Sequence, residues 1–149
     1  IETMRKIVEQ IETADQIYFH ETEPHHNNER FITDSICYNA ARLAKRVSAK
    51  AIVTMTHSGY TAYKISSQRP NSLVIVFTAN RRILTALSLV WGVKCFYYDK
   101  MVSTDHTIAD SKYILRKSGF IQEGDMIINI ASMPIEEKGQ SNMIKLSKA

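Results

Sequence analysis

The run Thr56-His57-Ser58-Gly59-Tyr60-Thr61 places three aliphatic hydroxyls and a glycine within six residues. Set between a strand and a helix, such a run can hold phosphate. Free backbone N–H groups at a helix N-terminus carry partial positive charge and meet phosphate oxygens. Gly59 lets the backbone close on a ligand, and each hydroxyl has one hydrogen bond to donate. Ser, Thr and Gly also build ordinary caps and turns, so the spacing leaves an anion site and a plain cap both open. His57 would pair with a phosphate or face solvent.

Other reactive side chains give less. Arg81 and Arg82 follow a strand and would reach an anion in the same crevice or point into water. His25-His26, with Glu21 and Glu23, would make a metal set only if the fold gathered them; the plainer reading is a hydrophilic loop. Trp91 precedes Gly92 and reads as packing at a helix end, and Cys37 and Cys95 read as small buried apolar residues. The chain has no Gly-x-Gly-x-x-Gly, no Walker Gly-Lys-Ser/Thr, no Cys-x-x-Cys and no nucleophile elbow. No catalytic residue and no metal set is therefore expected.

The elements that must position the 56–61 run follow from periodicity. Ile1, Met4, Ile7, Val8 and Ile11 mark one face of a helix over residues 1–14. A polar, aperiodic stretch from Asp15 to Arg30 reads as a linker or exposed loop. Thr33 and Asp34 are good N-cap types for a second helix running to about Val47. Strands are expected at 51–55, 73–77, 93–98 and 126–130, with helices at 60–68, 81–90 and from Ser103 or Thr104 to about Lys117. A last strand at 142–146 follows its predecessor too closely for a helical crossover, so it should lie antiparallel at an edge. The fold class is α/β: a three-layer α/β/α domain with a five-stranded, mostly parallel sheet. In such sheets ligands bind beyond the carboxyl ends of the strands, near the point where the strand order reverses.

Composition narrows the class. The 149 residues are 44% hydrophobic and 23% charged, which excludes a disordered chain, and no run is long and apolar enough for a membrane span. Residues 1–30 carry seven acids against three bases, and the remainder sixteen bases against eight acids. A basic body hints at anionic partners, but only Lys45-Arg46, Arg81-Arg82 and Arg116-Lys117 are adjacent pairs, so nucleic acid is not expected. Two cysteines give no disulfide framework, which points to a reducing compartment. The chain opens on Ile1 without a basic-then-apolar leader and is read as a piece of something longer.

Several ordered motifs carry a resemblance. The run from Ala49 to Ala62, then Arg69-Pro70 and the strand Val74-Ile75-Val76-Phe77-Thr78, resembles the C-terminal domain of pyruvate kinase. Leu87-Ser88-Leu89-Val90-Trp91-Gly92-Val93 resembles the bacterial version of the next helix end. Ser103-Thr104-Asp105, Gly124-Asp125-Met126-Ile127-Ile128 and Gly139-Gln140-Ser141-Asn142-Met143-Ile144 continue the match in order. The segment from Ile1 to Glu12 is similar to the last helix of the family's catalytic barrel. The resemblance thus implies three parts: residues 1–14 as that barrel helix, 15–30 as a linker, and 31–149 as the C-terminal domain.

The resemblance also implies a parent enzyme of glycolysis, a cytoplasmic, ATP-binding homotetramer that moves phosphate from phosphoenolpyruvate to ADP with Mg2+ and K+. Its catalytic residues would lie upstream, leaving this piece inert and regulatory. The family's phosphorylated effector would be held by Thr56, Ser58 and Thr61, with the backbone of His57, Gly59 and Tyr60, under a covering loop at about 133–140 that includes Pro134, Lys138 and Gly139. Members that respond to fructose 1,6-bisphosphate often have a basic residue where His57 and Tyr60 stand, and a tryptophan or arginine in the covering loop. Here that loop has Glu136-Glu137. Carboxylates beside a second phosphate would repel it by about 1 kcal/mol or more, which favours a sugar monophosphate or AMP. A free-standing phosphometabolite-binding module is the alternative.

Overall fold

A computed structural model describes residues 1–100, 103–133 and 140–149. Helix α1 (Glu2–Glu12) and a single 3₁₀ turn (Asp15–Ile17) come first, then α2 (Phe31–Val47). The sheet follows as β1 (Ala51–Met55), α3 (Tyr60–Ser67), β2 (Leu73–Thr78), α4 (Arg81–Leu87), β3 (Val93–Tyr97), α5 (Thr104–Lys117), β4 (Met126–Ala131) and β5 (Met143–Lys148). The sheet order is β3-β2-β1-β4-β5, with β1 to β4 parallel and β5 antiparallel to β4. The five-stranded, mostly parallel α/β sheet expected from the periodicity is the one observed.

The near-continuous apolar strands explain the layering. In β1, Ile52 lies level with Val74 and Ile128, and this face packs on Ala40 and Ala44 of α2, Ala62 and Ile65 of α3, and Leu87 of α4. The alternate residues Ala51, Val53, Ile75, Phe77 and Ile127 face Leu115 of α5 and Ile121. A parallel sheet buried on both faces needs no polar alternation, and none is seen in β1, β2 or β4. The alanines of α2 let the helix sit close on strands rich in branched side chains.

Sheet order decides where a ligand can enter. From β1 the chain steps outward to β2 and β3, then crosses to the other flank of β1 to form β4. The strand order thus reverses between the exits of β1 and β4, the place where open α/β sheets leave a ligand crevice.

Four details differ from the sequence expectation. Helix α2 starts at Phe31 with Arg30 as N-cap and no side-chain cap, so Thr33 and Asp34 lie inside the helix and are buried. Helix α4 ends at Leu87 rather than residue 90, and β5 runs two residues beyond the expected end. The 15–30 segment is not simply an exposed loop. Phe19 and His20 donate N–H bonds to the carbonyls of Arg69 and Gln68, and Thr22 and Gln68 exchange two bonds of 3.1 Å. Gln68 thus satisfies that backbone as a neighbouring strand would, which periodicity cannot reveal.

Candidate functional site

The loop after β1 is shaped by its own hydroxyls. Thr56 donates its N–H to the Phe77 carbonyl at 3.1 Å, anchoring the exit of β1 to β2. Its side-chain oxygen accepts the Gly59 N–H at 2.9 Å, and Ser58 Oγ accepts the Tyr60 N–H at 3.4 Å. A hydroxyl that accepts in this way keeps its own proton to donate elsewhere. Gly59 has φ +81°, and a Cβ there would lie 3.2 Å from Ile83 Cγ2, so both backbone and space call for glycine. Gly59 caps α3, whose first turn begins at Tyr60.

Thr56, Gly59 and Thr61 are buried, Tyr60 is half-buried, and His57 and Ser58 are exposed. The His57 carbonyl accepts from Asn80 Nδ2 at 3.4 Å, while Asn80 Oδ1 accepts the Arg82 N–H and caps α4. Across the crevice, Thr61 Oγ1 lies 3.2 Å from Ser141 Oγ. The fold therefore brings the hydroxyl run of one loop against the chain entering β5, at the point where the strand order reverses.

Under the loop is a charged cluster that the sequence reading missed. The Asp34 side chain is 5% exposed and accepts from Asn28 Nδ2 at 2.6 Å and the Tyr60 hydroxyl at 2.7 Å. Lys64 Nζ lies 3.1 Å from the same carboxylate. Burial, then the bond to Asp34, pushes the Tyr60 hydroxyl above the usual tyrosine range. The same carboxylate raises the Lys64 ammonium, so Tyr60 stays neutral and Lys64 charged near neutral pH. The Arg30 guanidinium lies over the Tyr60 ring, 4.3 Å from its centroid. An Asp in a first helical turn reads as a helix start, so no local signal marked Asp34 as the hub of this cluster.

The remaining candidates disperse. Arg81 stacks over Tyr97 at 4.5 Å, at the end of β3. His26 packs on Phe31, with ring centroids 4.6 Å apart, and Glu23 accepts from the Tyr38 hydroxyl at 3.3 Å. Trp91 lies between Tyr18 and Arg69, as expected of a packing residue. Cys37 is buried, and burial followed by Asp34 pushes its thiol up to about 12, so it is no nucleophile near neutrality. Cys95 is only half-buried, since β3 is an edge strand. Among the described residues, no three His, Cys, Asp or Glu side chains gather as metal ligands. None of their helices is long and apolar enough to cross a membrane. Pro134, Lys138 and Gly139 lie outside the described residues. A cavity of 590 Å³ opens at the other end of the strands, beside Lys45, Lys50, Ser72 and Phe120.

The fold and the motifs of this site recur in known proteins. A family model described as pyruvate kinase, alpha/beta domain, matches residues 34–147. A pyruvate kinase of Clostridium acetobutylicum is 31% identical over 146 residues, which is 98% of this chain and 31% of that protein. One from Lactobacillus delbrueckii subsp. bulgaricus is 32% identical over 115 residues, or 77% of this chain and 20% of that protein. A crystal structure of a pyruvate kinase from Cryptosporidium parvum superposes with a TM-score of 0.71 at 26% identity, covering 78% of this chain and 22% of that one. The chain thus spans between a fifth and a third of the length of these relatives, and over that span it belongs to the family of the pyruvate kinase alpha/beta domain.

Proposed function

We propose that this chain serves as the regulatory and subunit-packing part of a pyruvate kinase, and that its 56–61 loop holds the phosphate of a monophosphorylated effector. The larger protein would carry phosphate from phosphoenolpyruvate to ADP in the cytoplasm, as a homotetramer. This chain would take no part in that chemistry. Among the described residues no carboxylate set gathers to hold the Mg2+ of such an enzyme, which would also use K+. Those ions would be held elsewhere in the larger protein.

One observation carries the reading: the meeting of Thr61 and Ser141 at 3.2 Å across the crevice between the β1 and β4 exits. A phosphate placed there would accept hydrogen bonds from the hydroxyls of Thr56, Ser58 and Thr61 and from the His57 N–H, and those of Gly59 and Tyr60 would turn to it from Thr56 Oγ1 and Ser58 Oγ. The loop at 133–140, with Pro134, Lys138 and Gly139, is the covering loop that the resemblance implies, and its residues 134–139 lie outside the described residues. The sequence carries Glu136-Glu137 where the resemblance puts the covering loop, and that charge disfavours a second phosphate. A sugar monophosphate or AMP fits that charge better than a bisphosphate. Occupancy would shift the enzyme through unequal affinity for two subunit arrangements, with the β5 edge offering unpaired backbone to a neighbouring subunit.

Thermal unfolding against AMP, ribose 5-phosphate, glucose 6-phosphate and fructose 1,6-bisphosphate tests the site. A ligand at 100 times its Kd should add about 2.7 kcal/mol of stability, and the gain should vanish in Ser58→Ala/Thr61→Ala. A gain that survives the double substitution, or no gain with any of the four, would refute the assignment.

A further inference from the structure

Asp34 is the one buried Asp, Glu, Lys, Arg or His among the described residues. Its three donors come from two separate stretches of chain, the segment before α2 and the first turns of α3. Asn28 belongs to the segment before α2, Tyr60 closes the 56–61 loop, and Lys64 sits one turn further along α3. The segment makes two more contacts here: Arg30 covers the Tyr60 ring, and the Glu29 carbonyl accepts from Gln140 Nε2 at 3.2 Å. Residues 28–30 are thus held from both banks of the crevice. Further back, Thr22 is fastened to Gln68, and beyond it lies α1.

A carboxylate out of water is tolerated only while its oxygens are satisfied, and losing one donor strips the site of more than that bond. If residues 28–30 move away, Asp34 loses Asn28 and Tyr60 loses its cover. If the loop moves, Tyr60 takes its hydroxyl from Asp34 and its face from Arg30. We propose that residues 28–30 and the 56–61 loop form one cooperative unit pinned at Asp34, so that a phosphate that fixes the loop also fixes the segment leading back to α1. By linkage the effect is reciprocal: seating the segment prepares the loop. The ligand half of this inference rests on the function proposed above; the joint itself does not.

Amide hydrogen exchange on the 149-residue chain tests it. Tyr60→Phe keeps the ring beneath Arg30 and removes only the hydroxyl. The N–H groups of Arg30, Phe31 and Asp34 bond to Asn28 or Arg30 and report on the segment. They should exchange about tenfold faster in Tyr60→Phe, with the core amides of Val53 and Ile75 unchanged. Asn28→Ala should mirror this by speeding Gly59 and Tyr60. Unchanged rates at residues 30–34, or a uniform rise that includes the core, overturns the joint. In the unsubstituted chain, ribose 5-phosphate should slow exchange at both 58–61 and 28–31, and in Tyr60→Phe at 58–61 alone. Protection of 58–61 without 28–31 in the unsubstituted chain would overturn the inference and spare the binding site. Protection of neither would remove the binding reading, and the ligand-free rates would still decide the joint.

Discussion

Helices α1 and α2 carry the same kind of pattern and meet opposite fates. Both show an apolar stripe at helical spacing. In α2 it becomes the floor of the sheet, with Cys37, Ala40, Ala41 and Ala44 buried. In α1 no residue is buried, and Ile7 remains 52% exposed. The difference is in what stands opposite. Strands β1 and β4 offer α2 a surface of Ile52, Ile128 and Ile130, whereas α1 is followed by a polar segment that turns toward α3. A stripe marks a face that can be buried, not the partner that buries it.

Substitutions in the two regions should separate sharply. Ile128→Ala, in the layer beneath α2, should lower stability by about 4 kcal/mol through lost burial and a cavity, read by denaturant unfolding. A loss under 1 kcal/mol would mean that α2 is not sealed on the sheet. Asp34→Asn comes next, at about 2 kcal/mol, because the charge-assisted bonds go and half-exposed Lys64 was already partly screened.

This variant also has a signature in pH. Lys64 and Tyr60 both have raised folded-state pKa values, so each binds its proton more tightly when folded. Their contribution is complete below about pH 10 and fades as pH climbs through their folded pKa values. The alkaline fall in stability should therefore be shallower in Asp34→Asn. Part of it will persist, since burial is the larger cause for Tyr60. Smallest of all, Ile7→Ala on α1 should change stability by about half a kcal/mol or less, lost packing being offset by better helix propensity. A larger loss would show that the stripe of α1 is covered after all.

The same contrast explains how much the sequence disclosed. Strands such as Leu73–Thr78, buried on both faces, announce themselves by composition, and their alternation with helices yields the sheet and the crevice at its reversal point. The 56–61 run was visible because serine, threonine and glycine cluster there. Asp34, Asn28 and Arg30 were not, since their meaning comes from residues up to 30 positions away in sequence, such as Lys64 for Asp34 and Tyr60 for Arg30. Thr33 and Asp34 read as helix caps because that is their usual local use. In the fold α2 begins at Phe31, Thr33 and Asp34 lie inside it, and the Asp34 carboxylate is taken up by Asn28, Tyr60 and Lys64. Local preference described the scaffold; the polar joint between distant segments lay outside its reach.

The contact between Thr61 and Ser141 bridges 80 positions of the chain. Closing so long a loop is slow and is rewarded only when β4 has docked on β1 and β5 on β4. A folding intermediate holding β1, β2 and β3 would already have the hydroxyl run but only one bank of the crevice. Any ligand that spans both banks would thus recognise the finished sheet and ignore such precursors. It would act as a selective brake on unfolding, and its presence during synthesis would mark the moment at which the last strand arrives.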